Sequence, residues 1–471
     1  MRSPELAERI LHFGLGAFHR AHQAAFTQDA GGRWRIEAVS MRNPALSDAL
    51  NAAGGVYHLV ERHPEGPLLI RMTVIDRAHC LAADPGAVVA RIADPDVRIV
   101  TATVTEKGYG FDPATRRLDP SHPSVAPDLA RPEAPRGLVG AIVEGLRLRR
   151  AAGHAGLSVM SCDNLTGNGH LLAGLVDDFA RRRAPGLADW IAETCSFPDS
   201  MVDRITPASS EATFAAVREA TGQDDPLAVE TEPFRQWVIE DVFAGPRPAW
   251  EAAGALIVTE VAPFETMKLR LLNGAHSMTA YLGALAGLPA VRDVMAEADL
   301  RALVRAHMSA AAATLAPLPG YDAEAYADTL IERFSNPAID HRVLQIAMDG
   351  SQKLPQRIFA PARDRLGRGA GVETFALATA AWIRFAEGRD EAGAALGLND
   401  PLAGPIRAAL ARAGTNPEDR VAALSRVEGL AHLGLLSDPR FGGSVARHLD
   451  WLTGKGVRAT VAEVLRGLAE G

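Results

Sequence analysis

The chain has 471 residues, of which 47% are hydrophobic and 23% charged, with a formal net charge of −8; this is enough apolar material for two or three domains with real cores. The acidic balance leaves no overall electrostatic footprint for nucleic acid or an anionic membrane, so neither is an expected partner, although a locally basic pocket stays open. Three cysteines, Cys80, Cys162 and Cys195, stand without CxxC or Cys/His spacing. That argues against a disulfide framework and a structural zinc site, and the expectation is no metal and a reducing cytoplasm.

The opening MRSPELAERILHFG has no basic leader region, long apolar stretch or cleavage site, so no export signal is expected. "RILHFGLGAFHRAHQAAF" reads as an apolar strand, a glycine turn and a helix, and "WRIEAVSM" as a second strand. Further strands are predicted at "VRIVTATV" (residues 97–104) and "LSVMSC" (157–162), with the helical "GLVGAIVEGLRLRRAAG" between them. Alternation of this kind predicts an α/β fold with a doubly wound, Rossmann-type parallel sheet. "ALIVTEV" (255–261) is the last predicted strand. From Pro263 onward the pattern is Ala- and Leu-rich helix, so the chain divides into a dinucleotide-binding domain, 1–262, and an all-α C-terminal domain, 263–471, with a loose loop at 367–371. Residues 271–291 carry no formal charge over the length of a membrane span, but Asn273, His276, Ser277, Thr279, Tyr281 and Pro289 make a buried core helix the better reading.

Within this frame several motifs can carry chemistry. Gly14, Gly16, Phe18 and His19 form the first βα turn, with the GxG of a dinucleotide fingerprint and a histidine in place of its third glycine. The turn is either a pyrophosphate cradle or an ordinary tight turn. After the second strand, "SMRNP" has Arg42 where an acidic ribose ligand is usual, which leaves NADP open beside NAD. Glu106 and Lys107, Asp163 and Asn164, and Asp203 and Arg204 all follow strands, at the edge where open α/β sheets bind ligands; each pair also reads as a solvated turn or helix cap. "EPFRQWVIED" and "RFSNPAIDHRVLQIAMDGSQKLPQR" read as a helix pair with solvated faces. In "KLRLLNGAHS", α-helical spacing sets Lys268, His276 and Asn273 at roughly 0°, 80° and 140°, on one side of an apolar helix. A charged, unpaired lysine there costs several kcal/mol, so it either reaches water or belongs to a site that lowers its pKa.

Together "GLGAFHRAHQ", "TVTEKGY", "SCDN", "MVDRITP", "KLRLLNGAHS" and "RFSNP" resemble, in order and over nearly the whole chain, the long-chain polyol and mannitol dehydrogenase family. "EPFRQWVIED", "HRVLQIAMDGSQKLPQR" and "EGLRLRR" look most like its D-mannonate oxidoreductase (fructuronate reductase) branch. The resemblance implies a metal-independent, NAD-linked secondary-alcohol dehydrogenase. It implies Lys268 as general acid/base, Asn164 and Asn273 as hydrogen-bond donors to the reacting oxygen, and His276 as a substrate-orienting residue. Glu106 and Asp203 match acidic residues near the site; with the motifs above, the expected cofactor contacts are Gly14, Gly16, Phe18, His19, Arg42 and Glu106, and the expected substrate contacts Asp203, Arg342, Gln345 and Lys353. Gln345 stands where the mannitol branch has an arginine, a departure that turns the expectation away from polyols. The expected reaction is the interconversion of D-fructuronate and D-mannonate, with a mannitol or arabinitol 2-dehydrogenase as the alternative. A dinucleotide-binding sensor without turnover is the reading from another class. The only expected partner is a small sugar acid or polyol, and the expected assembly is a monomer.

Overall fold

The computed structural model describes residues 8–318, 320–430 and 434–470; residues 1–7, over which no export signal is expected, lie outside them. The chain falls into two compact units, Met1–Ala262 and Pro263–Gly471.

The first unit is organised by a five-stranded parallel sheet. Its central strand, Arg9–Phe13, lies between Arg35–Ser40 and Val97–Ala102, with Ile75–Cys80 and Ser158–Ser161 on the two edges. Leu11, Phe13, Val39 and Val100 pack on helices Leu138–Ala151 and Asn168–Arg183, while Ile10, Ile36 and Ile99 face Phe26, Trp237 and Trp250. Burial of both faces is what near-continuous apolar runs such as "ILHF" and "RIVTA" demand of a parallel sheet. Chain direction across the sheet reverses between Arg9–Phe13 and Val97–Ala102, the position where open α/β sheets leave a ligand crevice at their C-terminal edge. Asn43 and Asp84, each followed by proline, cap the helices Pro44–Ala52 and Pro85–Ala93 by accepting from the N–H groups of Ala45 and Ala87 at 2.9 Å.

Two departures from the sequence reading concern strands. "EPFRQWVIED" is not half of a solvated helix pair: Gln236–Glu240 is a strand, and Trp237, Val238 and Ile239 are fully buried. It is the middle of a separate three-stranded sheet with Ser200–Asp203 and Leu256–Val258, so the last predicted strand lies outside the parallel sheet. A third sheet, Val229–Thr231, Tyr57–His63 and Gly66–Met72, was unanticipated.

The second unit is helical. Its opening run is α-helical over Ala262–Lys268, a π-turn over Leu269–Asn273, and α-helical again over Gly274–Leu285. Every residue of Gly274–Leu285 is buried, and the helix packs against Glu373–Ala386 and Ala298–Ala312. The uncharged stretch is thus a core helix, and no helix among the described residues is long and apolar enough to cross a membrane. Helix Pro439–Glu470 is kinked at Gly456, where φ is 80°.

Candidate active site

In the first unit the glycine turn leaves the central strand at its C-terminal end. Gly14 has φ 105°, its N–H donates to the Val39 carbonyl at 2.8 Å, and the Gly16 N–H donates back to the Gly14 carbonyl at 2.6 Å. A Cβ on Gly14 would sit 2.0 Å from the Thr103 carbonyl oxygen, whereas a Cβ on Gly16 would meet nothing nearer than 3.9 Å. The first glycine is needed by the turn itself; the second leaves open backbone, which is what the approach of a pyrophosphate requires. The turn therefore fits a dinucleotide.

Support for the turn comes from below. His12 shares hydrogen bonds with the hydroxyls of Thr101 at 2.7 Å and Thr103 at 2.9 Å, and Thr103 Oγ1 donates to the Gly14 carbonyl at 3.0 Å. His19 does not line the outer surface of the turn: it is fully buried and stacked on His12 with ring centroids 3.5 Å apart. Burial pushes His12 down to about 3 and His19 well below the usual range, so both rings are neutral near pH 7. Phe18 stacks on His22 at 5.0 Å, and the expected single helix breaks at His22 into Ala17–Ala21 and Gln23–Ala30. Arg42 is exposed just beyond the second strand.

Beyond the strand Val97–Ala102 the chain turns sharply. Thr105 has φ 65°, a left-handed conformation that is strained for a β-branched residue, and exposed Glu106 follows in a single 3₁₀ turn. Asp163 holds this loop: its carboxylate accepts from the N–H groups of Val104 at 2.8 Å and Thr105 at 3.2 Å and from the Tyr109 hydroxyl at 2.7 Å. Burial raises the Asp163 pKa, against those hydrogen bonds. Asp163 is therefore a loop clamp, and exposed Asn164 follows it. Asp203 is buried at the end of its strand. Arg204 is tied into the core by the carbonyl of Ala21, the carbonyl of Glu232 at 2.9 Å and the Glu61 carboxylate at 2.5 Å.

In the second unit the π-turn changes the geometry read from sequence. Its i→i+5 bonding widens the helix between Lys268 and Asn273, so the α-helical angles no longer apply; π-turns inside α-helices are frequent at functional sites. Lys268, Asn273 and His276 are 6%, 8% and 8% exposed. Asn273 Nδ2 and His276 Nε2 are buried without a hydrogen-bond partner among the described residues, and such atoms cost free energy unless a ligand satisfies them. The His276 ring stacks on Phe334 at 4.3 Å and meets the His341 ring edge-on at 5.1 Å. Burial, reinforced by His341 and the charges of Arg333, Arg357 and Lys268, holds the His276 pKa well below its usual value. His276 is consequently neutral, fit to orient a hydroxyl and unfit to supply a proton.

The segment after His341 is less uniform than the sequence reading supposed. Arg342 is exposed and paired with Asp340 at 2.9 Å, and Gln345 is exposed. Lys353 donates to the carbonyls of Met348 at 2.6 Å and Ile346 at 3.3 Å. Arg357 lies in a second π-turn, Pro355–Phe359, and reaches Ser277 Oγ at 3.3 Å and the Asn273 carbonyl at 3.4 Å. Phe334 and His341 were not singled out as site residues, although both lie in motifs that carry the resemblance, "RFSNP" and "HRVLQIAMDGSQKLPQR", because their contact with His276 is made only in the fold. Among the described residues one group of possible metal ligands occurs, His170, Asp199 and Glu240. There Asp199 already accepts from His170 Nδ1 at 2.7 Å and from the N–H groups of Gly169 and His170 that open helix Asn168–Arg183.

Family models for the mannitol dehydrogenase Rossmann domain and the mannitol dehydrogenase C-terminal domain match residues 8–252 and 260–450. The chain is 42% identical to the uncharacterized oxidoreductase YeiQ of Escherichia coli (strain K12), over 93% of this chain and 90% of that one. It is 41% identical to the D-mannonate oxidoreductase of the same organism, over 97% and 96%. Among solved structures it is similar to Pseudomonas fluorescens mannitol 2-dehydrogenase in ternary complex with NAD and D-mannitol, with a TM-score of 0.82, 34% identity, and coverage of 98% of this chain and 95% of that one.

Proposed function

Because the chain belongs to the mannitol dehydrogenase family of oxidoreductases, we propose that it is an NAD-dependent enzyme interconverting D-fructuronate and D-mannonate. The observation that carries the choice of a sugar acid is electrostatic: besides the neighbouring His341 ring, the groups that act on buried His276 are Arg333, Arg357 and Lys268, all cations. A carboxylate-bearing substrate complements such a set, and a neutral polyol does not. The 41% identity to a D-mannonate oxidoreductase supports the same reading.

Gly14, Gly16, Phe18, Arg42 and Glu106 are the residues assigned to the cofactor, with His19 supporting the turn from within. Bound NADH supplies the hydride. As the carbonyl oxygen gains negative charge, Asn273 Nδ2, which has no partner among the described residues, donates to it, and Asn164 is the second amide assigned to that oxygen. Lys268 gives the proton in reduction and, neutral, takes it in the reverse direction. Neutral His276 orients a neighbouring hydroxyl; Asp203, Arg342, Gln345 and Lys353 are assigned to the rest of the substrate. No residue in this scheme requires a metal.

A substrate panel run with NADH and NADPH tests the proposal. The expected result is a kcat/KM for D-fructuronate at least about 100-fold above that for D-fructose, roughly 2.7 kcal/mol, with NADH preferred. Good turnover of mannitol or arabinitol together with indifference to fructuronate and mannonate would replace this reading with the polyol one.

A further inference from the structure

Two of the buried arginines in this protein are held by several short hydrogen bonds. Arg149 donates to the carbonyls of Ala155, Asp94 and Ile92 at 2.6, 2.8 and 3.1 Å, and Arg204 has two carbonyls and the Glu61 carboxylate. Arg357 is different. Both of its hydrogen bonds use Nη1, both are long, at 3.3 and 3.4 Å, and among the described residues it forms no ion pair. Burial pushes its pKa down to about 10, so it stays cationic at neutral pH while its charge goes unmatched. A guanidinium carries five N–H donors in a planar fork, and here most of the fork is idle.

The backbone is built to put it there. The π-turns Leu269–Asn273 and Pro355–Phe359 pack against each other. Their approach is so close that a Cβ on Gly274 would lie 2.9 Å from the Arg357 carbonyl oxygen. A glycine directly after Asn273 thus lets the strand of backbone carrying Arg357 press against the residue that awaits the reacting oxygen. Two cations of the same segment have protein partners that Arg357 lacks: Arg342 pairs with Asp340, and Lys353 donates to two carbonyls, which leaves each with fewer donors for the substrate.

We propose that Arg357 binds the carboxylate of the substrate, through the N–H groups that its contacts with Asn273 and Ser277 leave over, and so sets the selectivity for sugar acids over neutral ketoses. This rests on the sugar-acid reading above. In a hexuronate the carboxylate and the ketone lie at opposite ends of the carbon chain, so a cation distinct from Lys268 is needed, and a two-pronged contact fixes which carbonyl is presented.

The test compares wild type with Arg357→Gln, which keeps hydrogen-bonding capacity and loses the charge, and with Arg357→Lys, which keeps the charge and loses the fork. For each, kcat/KM is measured on D-fructuronate and D-fructose with saturating NADH, after a thermal melt to verify folding. In Arg357→Gln the uronate-to-fructose ratio is expected to fall about tenfold to a hundredfold, mainly through KM for the uronate; Arg357→Lys is expected to lie between. A ratio unchanged from wild type in either variant that folds, or an equal fall on both substrates, overturns the proposal, the latter because it marks Arg357 as a support for Asn273 alone. Wild type without uronate preference would instead overturn the sugar-acid reading and this proposal with it.

Discussion

At Gly16 a side chain has room in the fold, the nearest atom to an added Cβ being 3.9 Å away, while at Gly14 it has none. The two glycines should therefore fail differently. Gly16→Val is expected to weaken NADH binding, seen by fluorescence titration, and to leave the melting temperature nearly unchanged, because the added methyls occupy space only the cofactor needs. Gly14→Ala is expected to lower the melting temperature, since its Cβ collides with the Thr103 carbonyl at 2.0 Å and its φ of 105° suits only glycine. Unaltered NADH affinity in Gly16→Val would make the turn a structural feature only.

Between elements, a charge network stands at the N-terminal edge of the parallel sheet, away from the glycine turn. Glu37, on the second strand, accepts from Arg91 at 2.9 and 3.0 Å and is joined to His79 at 2.9 Å and Arg9 at 3.4 Å. Helix Pro85–Ala93 is tied to three strands by this one carboxylate. Burial alone would raise its pKa, but hydrogen bonds from His79 and Arg91 and their charges win and lower it to about 2. The folded value lies below the ordinary one of 4.5, so the stabilisation is complete above about pH 4.5 and disappears as pH falls toward 2. Glu37→Gln should thus cost about 2 kcal/mol at neutral pH, with the gap to wild type closing between about pH 4.5 and 2 in denaturant melts. A gap independent of pH would show that the carboxylate is not protonated over that range.

For the molecule as a whole, the residues assigned to the cofactor and the assigned proton donor lie in different compact units, Met1–Ala262 and Pro263–Gly471. Binding and chemistry should consequently separate on mutation. Lys268→Ala is expected to lower kcat by on the order of 10²-fold or more while NADH affinity is retained, the usual scale for removing a general acid/base. Near-normal turnover across about pH 6 to 10 would remove Lys268 from its assigned role.

Local pattern determined a good deal by itself. Apolar runs buried on both faces, broken by helical repeats, specify the parallel sheet, and the loss of strand pattern after Pro263 marks the helical unit, because burial periodicity is written residue by residue. Motif order carried the family resemblance. The strand Ile75–Cys80 was not legible, since "IDRAHC" alternates charge with small apolar residues and is held by pairing with Arg35–Ser40. Nor was Gln236–Glu240, whose polar flanks concealed an aromatic strand that only Ser200–Asp203 and Leu256–Val258 complete. The π-turn was equally invisible: a widened turn is paid for by packing, and "LRLLN" is as good an α-helix as any. What tertiary structure alone decided is therefore the state of the polar groups: His19 stacked beneath the turn, Lys353 tied to carbonyls, and Arg357 and Asn273 left with donors to spare. Whether a buried polar atom is satisfied depends on neighbours distant in the chain, and no spacing along one segment can record them.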